Sequence, residues 1–143
     1  MTHYGKVAQA AVSAASLLAE HYKEEGGRRL NSREIAENRK LSQAIVAKVL
    51  TTLSQTGLVN GAPGPGGGYW LARPPKEITL NDIITPFERL DTTLMCPFGE
   101  DWCGTGPHCP LHNQFVQFRQ QMSDFLQQTT LAQFQKTPGP VLN

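Results

Sequence analysis

Residues 30–74 read LNSREIAENRKLSQAIVAKVLTTLSQTGLVNGAPGPGGGYWLARP, and this stretch decides the fold. Asn31 or Ser32 fits an N-cap, and Glu34 and Glu37 sit near the positive N-terminal end of the short helix that follows. After a polar link, Leu41-Ser42 opens a second helix with Ile45, Val46, Val49, Leu50 and Leu53 apolar and Lys48 polar, and Gly57 stops it. Two short helices joined by a turn read as helix-turn-helix, although any helical hairpin shares that periodicity. The next residues sharpen the choice. Leu58-Val59-Asn60 reads as a strand, Gly61 to Gly68 as a turn-rich loop, and Tyr69-Trp70-Leu71-Ala72 as a returning strand ended by Arg73-Pro74-Pro75. A hairpin straight after a helix-turn-helix is a wing, which lies along the DNA backbone beside the recognition helix. The rival is a glycine cradle for a nucleotide phosphate, but no P-loop Lys-Ser/Thr follows and the next element is a strand, not a helix.

Upstream, Lys6 to about Tyr22 is rich in Ala and Leu, with Val7, Ala11, Ala14, Leu18 and Tyr22 at helical spacing. Its small residues imply close approach to another helix, and Glu24-Glu25-Gly26-Gly27 breaks it. Downstream, Ile78 through Glu88 reads as a short helix with Thr79 as cap. A final helix from about Leu111 to Phe134 carries Leu111, Phe115, Phe118, Met122 and Phe125 at alternating spacings of four and three. That heptad-like seam needs a partner, and dimerisation is the favoured one.

At 143 residues the chain suits one domain and can bury a real core. A formal net charge of +1 gives no global argument for nucleic acid, but the distribution is uneven. Between Gly27 and Lys48 lie Arg28, Arg29, Arg33, Arg39, Lys40 and Lys48 against Glu34 and Glu37, a local net of +4. From Thr79 onward the balance is −3. Such asymmetry suggests one face for an anionic polymer and another for something else. No apolar run reaches bilayer length and no secretory leader is apparent. The odd number of cysteines, three, points to a reducing cytosol.

All three cysteines and two of the four histidines fall within Cys96–His112, CPFGEDWCGTGPHCPLH. The gaps are six residues from Cys96 to Cys103, five to Cys109 and two to His112. Thiolates and imidazoles are preferred ligands of zinc and of iron in iron–sulfur clusters. Interspersed Gly and Pro residues keep the segment from a regular helix, so that it can loop around an ion or cluster. Ordinary thiols, two of them paired as a disulfide, are the bland alternative. A small enzyme with Cys103 or Cys109 as nucleophile is a third, but no oxyanion-donor motif accompanies it.

The order helix, helix-turn-helix, GPGGGY wing, RPP, ITLNDII, three-cysteine loop and long helix resembles the winged-helix iron–sulfur repressors that include IscR and NsrR. The resemblance runs from Lys6 to about Phe134. It rests most specifically on Gly57-Leu58-Val59, Gly64 to Tyr69, Leu71-Ala72-Arg73-Pro74 and Ile78-Thr79-Leu80. It implies a mainly α fold, a winged helix-turn-helix with a two-stranded wing and a long C-terminal dimerisation helix. The implied division is a DNA-binding domain over 1–78, a cluster loop and dimerisation helix over 79–135, and a flexible tail over 136–143. Three departures separate this chain from the pattern. The first cysteine gap is six rather than five, Pro63 stands where many members carry Arg, and Ala47 stands where IscR-like proteins often place Glu.

The implied function is a cytoplasmic homodimer that binds double-stranded DNA, is neither membrane-bound nor an enzyme, and changes operator affinity with its cluster. In IscR-like members a histidine three residues after the last cysteine completes a 2Fe–2S site, and His112 stands there. In NsrR-like members a carboxylate from the partner's first helix ligates a 4Fe–4S cluster, but Ala8, Gln9 and Ala10 offer none here. Cys96, Cys103, Cys109 and His112 are therefore the candidate ligands of a 2Fe–2S cluster. A 4Fe–4S cluster or zinc is the alternative, with Glu100, Asp101, His108 and His3 as other candidate ligands. For DNA, Arg33, Lys40 and Lys48 would neutralise phosphates, Ser42, Gln43, Ala44 and Ile45 would face base edges, and Gly66, Gly67, Gly68 and Tyr69 would form the wing. Core packing is the competing role for Ile45.

Overall fold

The computed structural model describes residues 5–88 and 109–137. Helix α1 (Lys6–Glu20) is followed by α2 (Ser32–Arg39) and α3 (Gln43–Gln55), the antiparallel pair β1 (Val59–Ala62) and β2 (Gly68–Leu71), and a 3-10 turn at Pro75–Glu77. Helix α4 (Leu80–Ile84), α5 (His112–Gln128) and α6 (Gln133–Lys136) complete it. The expected winged helix-turn-helix is present, mainly helical with one two-stranded hairpin.

Local chemistry sets most element ends. Asn31 and Glu34 form a reciprocal capping box at the start of α2: the Glu34 N–H donates to Asn31 Oδ1 at 2.8 Å and the Asn31 N–H to Glu34 Oε2 at 2.9 Å. Thr79 and Asp82 do the same for α4, both at 3.0 Å. Helix α3 closes in a Schellman motif around Gly57, at φ +80°. The Leu58 N–H reaches Leu53 O at 3.0 Å, the Gly57 N–H reaches Ser54 O at 3.1 Å, and the Leu53 and Leu58 side chains are both buried. That motif aims the chain directly into β1.

Helix α1 is the hub. Its alanines let α3, α2, α4, α6 and β2 all pack against it, and Ala11, Ala14 and Ala19 are fully buried. Leu18, Ile35, Leu50, Leu53, Ile78, Ile83 and Leu131 form one core with them. Because Leu131 belongs to that core, the segment that follows α5 is tied to the helix-turn-helix.

The final helix is shorter than its periodicity suggests. It ends at Gln128, where Thr129 turns extended (φ −90°, ψ 122°) instead of continuing to Phe134. The reason is tertiary: Leu80 N–H donates to Thr129 O and Leu131 N–H to Ile78 O, both at 2.9 Å, in an antiparallel bridge between Thr79 and Thr130. Two β-branched threonines suit that bridge better than a helix. Helix α1 likewise stops at Glu20, two residues before Tyr22, and α4 spans only part of Ile78–Glu88.

The wing depends on one close approach. Gly68 sits at φ +129°, and a Cβ there would lie 3.0 Å from the Leu30 carbonyl carbon and oxygen. Those atoms are backbone and cannot give way without breaking the Leu30–Tyr69 bridge. Replacing Gly68 with Ala is expected to lower unfolding free energy by about 1–3 kcal/mol. Urea titration should show an earlier midpoint at unchanged slope, and an unshifted midpoint would refute the close-approach account.

Candidate functional site

The exposed N-terminal end of α3 is built by Ser42, whose Oγ accepts the Ile45 N–H at 3.2 Å. With Ser42 committed to the cap, Gln43 and Ala44 are the exposed side chains of the first turn, and Gln43 Nε2 reaches Ser32 Oγ at 3.4 Å. Ile45 is half-buried and packs on the core beside Leu41. Lys48 projects into solvent one turn after Ala44.

Lys40, in the turn between the two helices, adopts the left-handed conformation at φ 53°, the one such non-glycine among the described residues. This geometry normally favours glycine, so a long cationic side chain is held there against backbone preference. Arg33 is exposed and pairs with Glu37 at 3.0 Å on the outer face of α2.

Arg39 does not belong to this surface, although the sequence places it in the basic stretch. It is 3% exposed and turned inward against α1. There it ion-pairs with Glu20 and donates from Nε to Ser13 O at 3.3 Å and from Nη2 to Ser16 Oγ at 3.2 Å. The cause is position: Arg39 ends α2 on the side that meets α1, where buried donors must be matched.

Between α3 and the wing runs an open groove. Asn31 and Ser32 at the head of α2, Thr51, Ser54 and Gln55 on the later turns of α3, and the run Gly61–Tyr69 line it. Gly66, Gly67, Gly68 and Tyr69 are thus brought beside α3. Thr51, Ser54 and Gln55 escape the sequence-derived site, yet Ala44, Lys48, Thr51 and Gln55 follow a spacing of four, three and four, one exposed helical stripe.

The cysteine centre is only partly described. Cys96 and Cys103 lie outside the described residues, as do the alternative ligands Glu100, Asp101, His108 and His3. Cys109 is a thiol 6% exposed, just before α5, and His112 begins that helix, its N–H donating to Cys109 O at 3.0 Å. One buried thiol and one half-buried imidazole three residues apart share a single turn, which fits one corner of a thiolate–imidazole site. No group of three or more metal-ligating side chains forms among the described residues.

Beyond this centre, Leu111 just before α5 and Phe115, Phe118, Met122 and Phe125 on it follow one stripe, and Phe118 and Phe125 are 51% and 54% exposed. No described helix is long and apolar enough to cross a membrane.

Known proteins match this arrangement. The Rrf2 family model, described as "Iron-dependent Transcriptional regulator", covers residues 6–137. A protein of Aquifex aeolicus, provisionally named an HTH-type transcriptional regulator, is 34% identical over 100 residues, 68% of this chain and 69% of its own length. The HTH-type transcriptional regulator IscR of Serratia proteamaculans is 30% identical over 100 residues, 70% of this chain, and the match spans 60% of IscR. Among solved structures, T. potens IscR superposes with a TM-score of 0.73 at 25% identity, over 96% of this chain and 88% of that one. CymR of B. subtilis gives 0.78 at 22% identity, over 97% and 100%, a likeness of fold. These relatives are named as transcriptional regulators and not as enzymes. With its helix-turn-helix, wing and C-terminal helix all inside the matched residues, this chain belongs to the Rrf2 family of transcriptional regulators.

Proposed function

We propose that this protein is a homodimeric DNA-binding regulator whose operator affinity is set by an iron–sulfur cluster held by Cys96, Cys103, Cys109 and His112. The single observation that carries the proposal is the position of Cys109 and His112, at the junction between the winged domain and the exposed seam of α5. Ligands at that junction would link the DNA-reading face, over 1–78, to the dimer helix within 79–135, leaving 136–143 as a tail. A bound cluster would supply redox- and nitric-oxide-sensitive chemistry. The chain's own contribution is to hold Cys109 out of solvent and to fix His112 at the first turn of α5. The imidazole and the lack of a carboxylate at residues 8–10 favour the 2Fe–2S form over 4Fe–4S. The zinc reading keeps the same ligands.

At the DNA, Gln43 and Ala44 would face base edges in the major groove, a Gln pairing bidentately with adenine and an Ala meeting thymine methyls. Ile45 seats the helix beneath them. Lys40, Lys48 and Arg33 would neutralise phosphates, and the Gly66–Tyr69 wing would follow the backbone.

Anaerobic purification should yield coloured protein with matched iron and sulfide, and Cys109→Ser should lose both. Holo protein and the variant should then differ about 5- to 150-fold in affinity for an operator duplex recovered by selection with the holo form. Equal affinities would sink the sensing role. Colourless protein with one zinc per chain would replace the cluster with a structural metal.

A further inference from the structure

We propose that Arg29, stacked on Trp70, forms a second phosphate clamp that extends the DNA footprint past the wing on the side of α2. This inference rests on the DNA-binding reading above and adds a contact outside both α3 and the glycine loop.

Its frame is the bridge between Leu30 and Tyr69. The Leu30 N–H donates to Tyr69 O at 3.1 Å and the Tyr69 N–H to Leu30 O at 2.7 Å, so residue 30 pairs with β2 as a short third strand. Antiparallel pairing then sets Arg29 opposite Trp70 and Asn31 opposite Gly68. Extended residues two apart share a face, so Arg29 and Asn31 point to the same side. Asn31 lines the groove beside α3, and Arg29 stands two residues before it on the same extended segment, in the neighbouring pocket.

Charge makes the site specific for an anion. His21, Lys23, Glu24, Arg28, Arg29 and Trp70 line a pocket here, and with Arg28 paired to Glu34 the charges left are Lys23 and Arg29 against Glu24. Other arginines of the region are engaged: Arg28 with Glu34 at 3.1 Å, Arg33 with Glu37 at 3.0 Å, and Arg39 with buried Glu20. Among the described residues Arg29 pairs with no carboxylate. Its guanidinium carbon instead lies 4.2 Å from the Trp70 ring centroid. Stacking on a neutral ring fixes the plane of the guanidinium while leaving its charge and its N–H edge uncompensated. A planar fork of donors held in this way matches the two non-bridging oxygens of a phosphodiester.

The test uses the full chain and a long duplex of arbitrary sequence, titrated at several salt concentrations. Arg29→Gln should weaken binding equally on unrelated sequences and reduce the slope of log affinity against log salt by about 0.9 for each protomer engaged. Arg29→Lys should keep most of the slope, and Trp70→Leu should lose part of it. Lys48→Gln reports independently on α3. If Lys48→Gln loses slope while Arg29→Gln matches wild type, the clamp is wrong and the DNA reading stands. Unchanged slopes in both variants sink the two together. Saturable quenching of tryptophan fluorescence by inorganic phosphate, with no slope lost in Arg29→Gln, would assign the pocket to a small anion and overturn the clamp.

Discussion

Replacing Arg39, the buried charged side chain among the described residues, with alanine is expected to lower unfolding free energy by about 3–5 kcal/mol. The guanidinium is 3% exposed and serves three partners on α1: Glu20, Ser13 O and Ser16 Oγ. Its removal strands a carboxylate that is 17% exposed and takes one donor from Ser13 O and one from Ser16 Oγ, while Ser16 Oγ still donates to Ser13 O. Desolvation of what remains, rather than loss of attraction alone, drives the magnitude. A double variant with Glu20→Gln and Arg39→Met should recover much of the loss, because no uncompensated charge then stays inside. Urea unfolding of wild type, Glu20→Gln, Arg39→Met and the double variant forms the cycle. A loss below about 1 kcal/mol in Arg39→Ala would place the pair in the class of surface ion pairs and refute its role as the tie between α1 and α2.

This residue also marks where the sequence stopped being readable. Asn31, Ser42, Thr79 and Gly57 announce element ends because each acts on backbone groups two to five residues away. The helix-turn-helix and its wing follow from such local chemistry plus apolar periodicity. Arg39 meets Glu20 across 19 positions, and nothing in a basic stretch says which cation will turn inward. The end of α5 is similar, since Thr129 leaves the helix to pair with a strand-like segment about fifty residues earlier. At the candidate site, the first turn of α3 was legible from its cap. Thr51, Ser54 and Gln55 became part of the groove only because the wing folds back over them. The stacking of Arg29 on Trp70 likewise depends on the Leu30–Tyr69 register, which no single segment encodes.

Substituting both Phe118 and Phe125 with Glu should split the proposed dimer and reduce affinity for a two-half-site duplex by about 10²- to 10⁴-fold. The two rings are 51% and 54% exposed on α5, in line with Leu111, Phe115 and Met122. Apolar side chains spaced four and three apart, with Leu111, Phe118 and Phe125 exposed and Met122 packed on the cluster of Ala8, Ile84 and Leu126, form a seam that a second copy of the same helix can cover. Carboxylates on both helices would place like charges across that seam, a repulsion added to the lost burial. Because both positions are solvent-facing, unfolding of the protomer itself should shift by less than about 0.5 kcal/mol if it folds alone. Sedimentation velocity reads the oligomeric state, and binding to a single half-site separates the effects. That affinity should stay near wild type, since Gln43, Ala44 and Lys48 lie on α3, away from the substitutions. The expected DNA loss is therefore one of effective concentration: each winged domain still binds, but no longer holds its neighbour over the second half-site. A variant that remains dimeric, or a wild type that sediments as a monomer while binding both half-sites tightly, would show that α5 is covered by something other than its twin.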